Sequence, residues 1–314
     1  MARIAYLGPQ GTFAEEALRS QPDLADDDHV PERTVPDVIT AVEGGDADFG
    51  VIPIENSIEG SVTVTLDTLG FDTDLLIQRE VVLPISLNLV ARAGTKIGDV
   101  TTVMSHPHAN AQCRGWMAAK LAGVEVEAAN STADAVARVA RSRRAGVAAI
   151  GTRHAADLYG LEVLAEEIED HPENQTRFVL VGYGVPAPTG HDKTSIVCFQ
   201  SQDRPGSLLG ILQEFAARAV NLTKLESRPT KKALGDYCFF IDLEGHVTDE
   251  VVADALRNLK AKQGDVKFLG SYPAGEAGGG DRNRRRAASK AWREASLWLE
   301  RLRRQVRPDA HVDR

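Results

Sequence analysis

The chain has 314 residues, 43% hydrophobic and 26% charged, enough for about two domains with a core in each, which excludes a disordered or fibrous protein. A formal net charge of −9 and a pI near 5.4 argue against nonspecific nucleic-acid binding and leave a small molecule as the default partner. The longest apolar run, 81–91, is broken by Pro84, Ser86 and Asn88 and falls far short of the roughly 20 residues that cross a bilayer.

The chain opens on a short strand and a Gly/Pro turn rather than the apolar core and cleavage site of a secretory signal, so a cytoplasmic protein without membrane contact is expected. Apolar patterning predicts strands over 3–7, 49–54, 75–82, 87–91, 101–105, 124–128, 147–151, 161–168 and 177–181, with helices between most of them. This is α/β patterning. Thr12 with Glu15, and Ser131 with Asp134, each predict an N-cap with an acid three positions on, which starts helices at 12–20 and after 131.

Residues 182–190 are Gly- and Pro-rich without a hydrophobic period and read as a linker closing the first domain. After it come a strand at 193–201, a helix at 205–219, strands at 222–228 and 237–244, a helix at 249–262 and a strand at 266–272. That βαββαβ order is the ferredoxin-like unit. A Gly-rich stretch at 275–280 then leads into a basic tail from Arg282, in which Trp292, Leu299, Leu302 and Val306 fall at helical spacing. The tail reads as an amphipathic helix on a neighbouring groove, or frayed in solvent, more readily than as a nucleic-acid arm, because Glu294 and Glu300 punctuate its bases.

The three cysteines, Cys113, Cys198 and Cys238, are far apart among apolar or small neighbours, so neither disulfides nor a zinc knuckle is expected. His106, His108 and Cys113 approach metal spacing without a second cluster, so no metal is assigned. The chain carries no phosphate loop and no dinucleotide fingerprint. Its strand-to-helix turns instead hold hydroxyls and amides at Gln10-Gly11-Thr12, Asn56-Ser57, Ser105, Ser131-Thr132 and Thr152. In an open α/β sheet such turns gather where ligands bind, and helix N-termini favour anions; each taken alone is more readily a helix cap.

Four stretches carry a family resemblance: Tyr6-Leu7-Gly8-Pro9-Gln10-Gly11-Thr12-Phe13, the run from Gly50 through Glu55-Asn56-Ser57-Ile58-Glu59-Gly60-Ser61 to Val62, Asn174-Gln175-Thr176-Arg177-Phe178, and Glu226-Ser227-Arg228-Pro229. On these the chain resembles the prephenate dehydratases. The resemblance implies a two-lobed, periplasmic-binding-protein-like catalytic domain over 1–182, with a first lobe of about 1–80 and 170–182 and a second of about 81–169. A linker at 183–192, an ACT regulatory domain at 193–273 and the tail at 274–314 would follow. It further implies a monofunctional enzyme that converts prephenate to phenylpyruvate, carbon dioxide and water without a cofactor, and is inhibited by phenylalanine. Losing a hydroxyl and a carboxylate together aromatises the ring, so the enzyme needs to orient the substrate and help the leaving oxygen.

By resemblance Thr176 sits at the leaving group as a hydrogen-bond donor. Asn56, Ser57, Ser105 and Gln112 match substrate-binding positions, and Thr12 and Ser131 join them at their turns. Glu55 is expected either at proton transfer or as a positioner. Arg177 faces a substrate carboxylate or locks its strand, and Phe178 packs in the core or beside the ring. Glu59 stands at capping-box spacing from Asn56. His106 and His108 titrate in a range suited to acid catalysis, yet loop histidines at a helix start are more often structural. Asn130 stands where some relatives carry an acid, so no proton role transfers there.

Pro205, Gly206, Ser207, Leu208, Asn221, Leu222, Glu226, Ser227 and Arg228 match the loops that bind phenylalanine between two ACT domains, Ser207 standing where alanine is common. A shared pocket requires a homodimer or homotetramer. Arogenate dehydration and noncatalytic amino-acid sensing are the alternatives.

Overall fold

The computed structural model describes residues 1–200, 204–231, 235–263, 265–275 and 282–305. Val306 and the 276–280 part of the Gly-rich stretch lie outside them. The chain divides into two compact units, Met1–Leu75 with Arg79–Tyr183, and Leu76–Gln78 with Gly184–Arg314. No helix among the described residues is long and apolar enough to cross a membrane.

The chain begins with β1 (Arg3–Leu7), α1 (Phe13–Arg19), β2 (Asp28–Glu32), α2 (Val35–Glu43), β3 (Phe49–Asn56), β4 (Gly60–Ser61), α3 (Thr63–Asp67) and β5 (Leu76–Pro84). It continues through β6 (Asn88–Ala91), β7 (Thr102–Ser105), α4 (Pro107–Gln112), α5 (Arg114–Lys120), β8 (Glu125–Ala128), α6 (Thr132–Arg141), β9 (Val147–Gly151), α7 (Arg153–Tyr159), β10 (Glu162–Ala165) and β11 (Gln175–Gly182). One sheet has the order β2-β1-β3-β11-β5 with β4 on β3, and the other β10-β6-β9-β7-β8. The chain therefore leaves the first sheet after β5 and returns to it in β11. The two crossings touch, because Ile85 N–H donates to the Asn174 carbonyl over 2.8 Å. Two lobes joined by a paired crossing are the plan of periplasmic binding proteins.

The apolar runs form strands buried on both faces: Ile4, Ala5 and Tyr6 in β1 and every residue of β9 are buried. The pattern does not predict β2, whose Asp-His-Val-Pro-Glu run carries charges and a proline. It forms at the sheet edge, where Pro31 breaks no ladder on the open side.

Both expected helix starts are present, with different capping chemistry. The Thr12 hydroxyl donates to the Leu7 carbonyl over 3.0 Å, and Glu15 accepts from Gly11 N–H over 2.7 Å. Glu15 is drawn away from a capping box by contacts with Arg19 and with His154 of α7, whose Nε2 lies 3.3 Å away. Burial and the Glu15 carboxylate together push the Tyr6 phenol upward. Gly11 has φ +87°, and a Cβ there would meet Ala155 Cβ at 2.9 Å, so only glycine seats this loop against α7. At α6, the Ser131 hydroxyl accepts from Asp134 N–H over 3.0 Å, whereas Asp134 accepts from Asn130 N–H over 3.2 Å.

The second unit holds β12 (Asp192–Phe199), α8 (Ser207–Ala216), β13 (Leu222–Pro229), β14 (Tyr237–Glu244), α9 (Glu250–Lys262), β15 (Asp265–Pro273) and α10 (Arg282–Arg304). The antiparallel order β13-β14-β12-β15 is the ferredoxin-like sheet. Ile196, Cys198, Ile211, Phe215, Ile241 and Leu259 form its core. The tail helix α10 lies against α9, with Trp292 packed on this core and the Arg218 guanidinium 5.8 Å from its ring centre.

Candidate active site

The site is built on the pairing of β3 with β11. Asn56 lies opposite Thr176, Glu55 opposite Arg177 and, after a register shift, Pro53 opposite Phe178. Successive side chains point to opposite faces of a strand. Thr176 and Phe178 accordingly line a cleft of about 520 Å³ within the first unit, while Arg177 points to the other face.

The cleft is closed by Thr12 and Phe13 at the start of α1, Glu59 to Val62 around β4, Ile85 and Leu87 from one crossing, His106 at the N-cap of α4 with His108 and Gln112 within it, and Asn130 to Thr132 at the start of α6. Among the described residues, those lining the cleft include no lysine or arginine. Its polar groups are hydroxyls, amides, imidazoles and the Glu59 carboxylate above an apolar wall.

Asn56 organises the polar side. Its Nδ2 donates to Thr176 Oγ1 over 2.9 Å and to Asn174 Oδ1 over 2.8 Å, while its Oδ1 accepts from the Ile58 and Glu59 N–H groups over 2.9 and 3.0 Å. The expected Asn56–Glu59 cap is thus half formed, and it closes the turn into β4 rather than a helix. Asn174 is buried and passes the network on, its Nδ2 donating to Gln112 Oε1 over 3.0 Å. Gln112 Nε2 in turn donates to Glu59 Oε1 over 3.2 Å.

The structure brings Thr12, Asn56, Gln112, Ser131, Thr176 and Phe178 to the cleft and directs four other expected site residues elsewhere. Glu55 lies on the face of β3 away from the cleft, where Arg177 Nη1 approaches it at 3.4 Å. Arg177 also meets Glu80 of β5 at 2.8 Å, and this pair ties β11 to β5. Ser105 is fully buried and spends its hydroxyl on the Ile150 carbonyl over 2.7 Å. Ser57 accepts from Gln175 N–H over 3.0 Å and shapes the turn. Phe178 is 3% exposed in the core and also part of the cleft wall.

His106 and His108 line the cleft with ring centres 5.0 Å apart. Burial, and then His108, hold the His106 imidazole below its ordinary value, so it favours the neutral form. Cys113 is sealed in the core, where burial pushes its thiol up, and it does not converge with the histidines. Asn174 carries no expected role in the sequence, where its one signal is its place two residues before Thr176.

Residues 4–184 match the prephenate dehydratase family and residues 194–261 the ACT domain family. A curated prephenate dehydratase of Mycolicibacterium vanbaalenii is 44% identical over 318 residues, covering 96% of this chain and 99% of that protein. The chain belongs to the prephenate dehydratase family. It is similar along its length to the solved prephenate dehydratase of Arthrobacter aurescens in complex with L-Phe, with 40% identity, a TM-score of 0.85, and 96% and 99% of the two chains covered. A solved quorum-quenching acylase is 29% identical with a TM-score of 0.76, covering 87% of this chain and 98% of that one. The shared fold thus leaves the reaction to the side chains of the cleft.

In the ACT domain the expected effector residues occupy the start of α8 and the edge strand β13. Gly206 is the N-cap of α8 with φ +87°, a conformation that suits glycine, and Arg204 N–H donates to Ser207 Oγ over 3.2 Å. Leu208 and Leu222 pack against the core, and the Asn221 carbonyl accepts from Glu244 N–H over 3.0 Å. Along β13, exposure alternates at every residue, so Glu226 and Arg228, paired at 3.4 Å, share one face while Ser227 lies on the other. Pro205 and Gly206 are exposed ahead of α8.

Proposed function

We propose that this prephenate dehydratase catalyses the decarboxylative dehydration of prephenate to phenylpyruvate, and that phenylalanine inhibits it through the ACT domain. The ring carboxylate leaves as carbon dioxide, its bonding pair enters the ring, and the ring hydroxyl departs with one proton as water. One proton is consumed. Aromatisation drives the reaction, so the protein's part is orientation and a donor at the departing oxygen.

The observation that carries this reading is the Asn56–Thr176 hydrogen bond. With an Asn56 amide hydrogen directed at its oxygen, Thr176 keeps its own hydroxyl hydrogen for the cleft. A threonine hydroxyl is too weak an acid to titrate, but a positioned donor stabilises charge growing on a leaving oxygen. Uncharged donors also suit a substrate that must lose a carboxylate, since a tight ion pair to that group would stabilise the ground state. Phe178 and Leu87 offer the apolar wall that a six-membered ring requires. Glu55 acts through Arg177 as a positioning residue.

Phenylalanine regulation is supported by the ACT domain and by the bound L-Phe of the Arthrobacter relative. The deciding assay is phenylpyruvate formation from prephenate by the purified chain, with and without phenylalanine, beside an arogenate control. Turnover suppressed by phenylalanine is the expected result. Turnover of arogenate alone would reassign the substrate, and turnover of neither would make the cleft a sensor.

A further inference from the structure

The turn that Asn56 holds carries one acid into the cleft. Glu59 presents its two oxygens to two side chains of α4, with Oε1 accepting from Gln112 Nε2 at 3.2 Å and Oε2 standing 3.4 Å from His108 Nδ1. These partners are one helical turn apart, so they grip a single carboxylate from the same face of α4. Glu59 comes from the first lobe and α4 from the second, and all three side chains line the cleft. An anion fixed inside a cleft meant for a dianion opposes binding unless it moves away.

We propose that Glu59 occupies, in the substrate-free enzyme, the seat of a substrate carboxylate on His108 and Gln112, and that binding displaces it, which makes His108 a substrate-binding residue. The inference rests on the reading of the cleft as a prephenate site. The seat is fixed on one side only. Gln112 is oriented by Asn174, whose Oδ1 is held by the same Asn56 amide that holds Thr176, so a carboxylate on Gln112 stands in register with the donor hydroxyl. Glu59 is the loose member. Its side chain is 40% exposed and that of His108 60%, and a polar contact so exposed is weak enough to exchange for a ligand. The exchange replaces one carboxylate by another on the same two donors, so no buried group loses its partner.

The test is steady-state kinetics with prephenate on the full chain, comparing the unmodified enzyme, Glu59→Gln, His108→Gln and the double variant. Glu59→Gln keeps an acceptor for Gln112 and removes the competing charge. It is expected to lower KM roughly 2–5-fold with kcat within about 2-fold, the range an exposed polar contact can supply. In the His108→Gln background the same change should bring little or no gain, because half of the contested seat is gone. An unchanged or raised KM in Glu59→Gln would overturn the proposal, as would a fall in kcat alone. An equal gain in both backgrounds would also overturn it, showing general charge repulsion instead of a shared seat. If the unmodified enzyme does not turn over prephenate, the functional reading fails and the seat fails with it; turnover without the KM shift removes the seat alone.

Discussion

Asn56 and Thr176, separated by 120 positions in the chain, face each other across β3 and β11 with the amide nitrogen donating to the hydroxyl oxygen over 2.9 Å. This bond consumes an acceptor site on Thr176 and leaves its hydrogen for the cleft. Thr176→Ala is expected to lower kcat by roughly 10² with a modest change in KM, the loss typical of a positioned proton donor. Thr176→Ser should recover most of the rate, and Asn56→Ala should lower kcat while the Thr176 hydroxyl is still present. Steady-state kinetics of the three variants checks this, and an unchanged kcat in Thr176→Ala would remove the residue from the chemistry.

On this geometry Ser105 is expected to act on stability. Its hydroxyl satisfies the buried Ile150 carbonyl, and Ser105→Ala leaves that oxygen without this donor at a cost of about 1–3 kcal/mol. Urea denaturation should show the loss, with kcat/KM changed less than about tenfold. A larger kinetic defect with full stability would return Ser105 to the substrate.

Glu80 and Arg177 form the buried tie between β5 and β11, with 2% and 11% of their side chains exposed. Glu80→Ala should destabilise the enzyme by about 3 kcal/mol, the low end for breaking a buried pair, because Glu55 remains beside the guanidinium. The same variant should reduce kcat as well, since Arg177 sits next to Thr176 on β11. Stability measured beside kinetics separates the two effects.

Arg228→Ala and Ser227→Ala probe the two faces of β13 independently. Each should raise the phenylalanine concentration for half-inhibition by about tenfold or more, the worth of a hydrogen bond to a charged group, while turnover without phenylalanine stays intact. Inhibition curves identical to the unmodified enzyme in both variants would place the effector elsewhere.

Much of the fold is legible in single segments. The strands β1, β9 and β14 run over the residues that the apolar pattern predicts, because each is short, continuous and bounded by turn residues. The edge strand β2 is not legible, since one open side tolerates the charges and proline that hide it. The contrast between Thr176 and Arg177 follows from strand alternation alone, yet which of the two faces the cleft depends on which sheet face the second lobe covers. The Glu15 cluster is hidden for a similar reason: a capping box is a local contact, and His154 competes for the acid from a helix that arrives more than a hundred residues later.

The sequence by itself determined the α/β alternation, the ferredoxin-like order of the second domain and membership of the prephenate dehydratase family, all of which rest on local pattern and motif. Only the tertiary structure decided which polar side chains remain available to a ligand. Each hydroxyl, amide and carboxylate has a fixed number of donor and acceptor positions, and neighbours distant in the chain fill them: Ile150 takes Ser105, Glu80 takes Arg177, and Asn56 turns Thr176 toward the cleft.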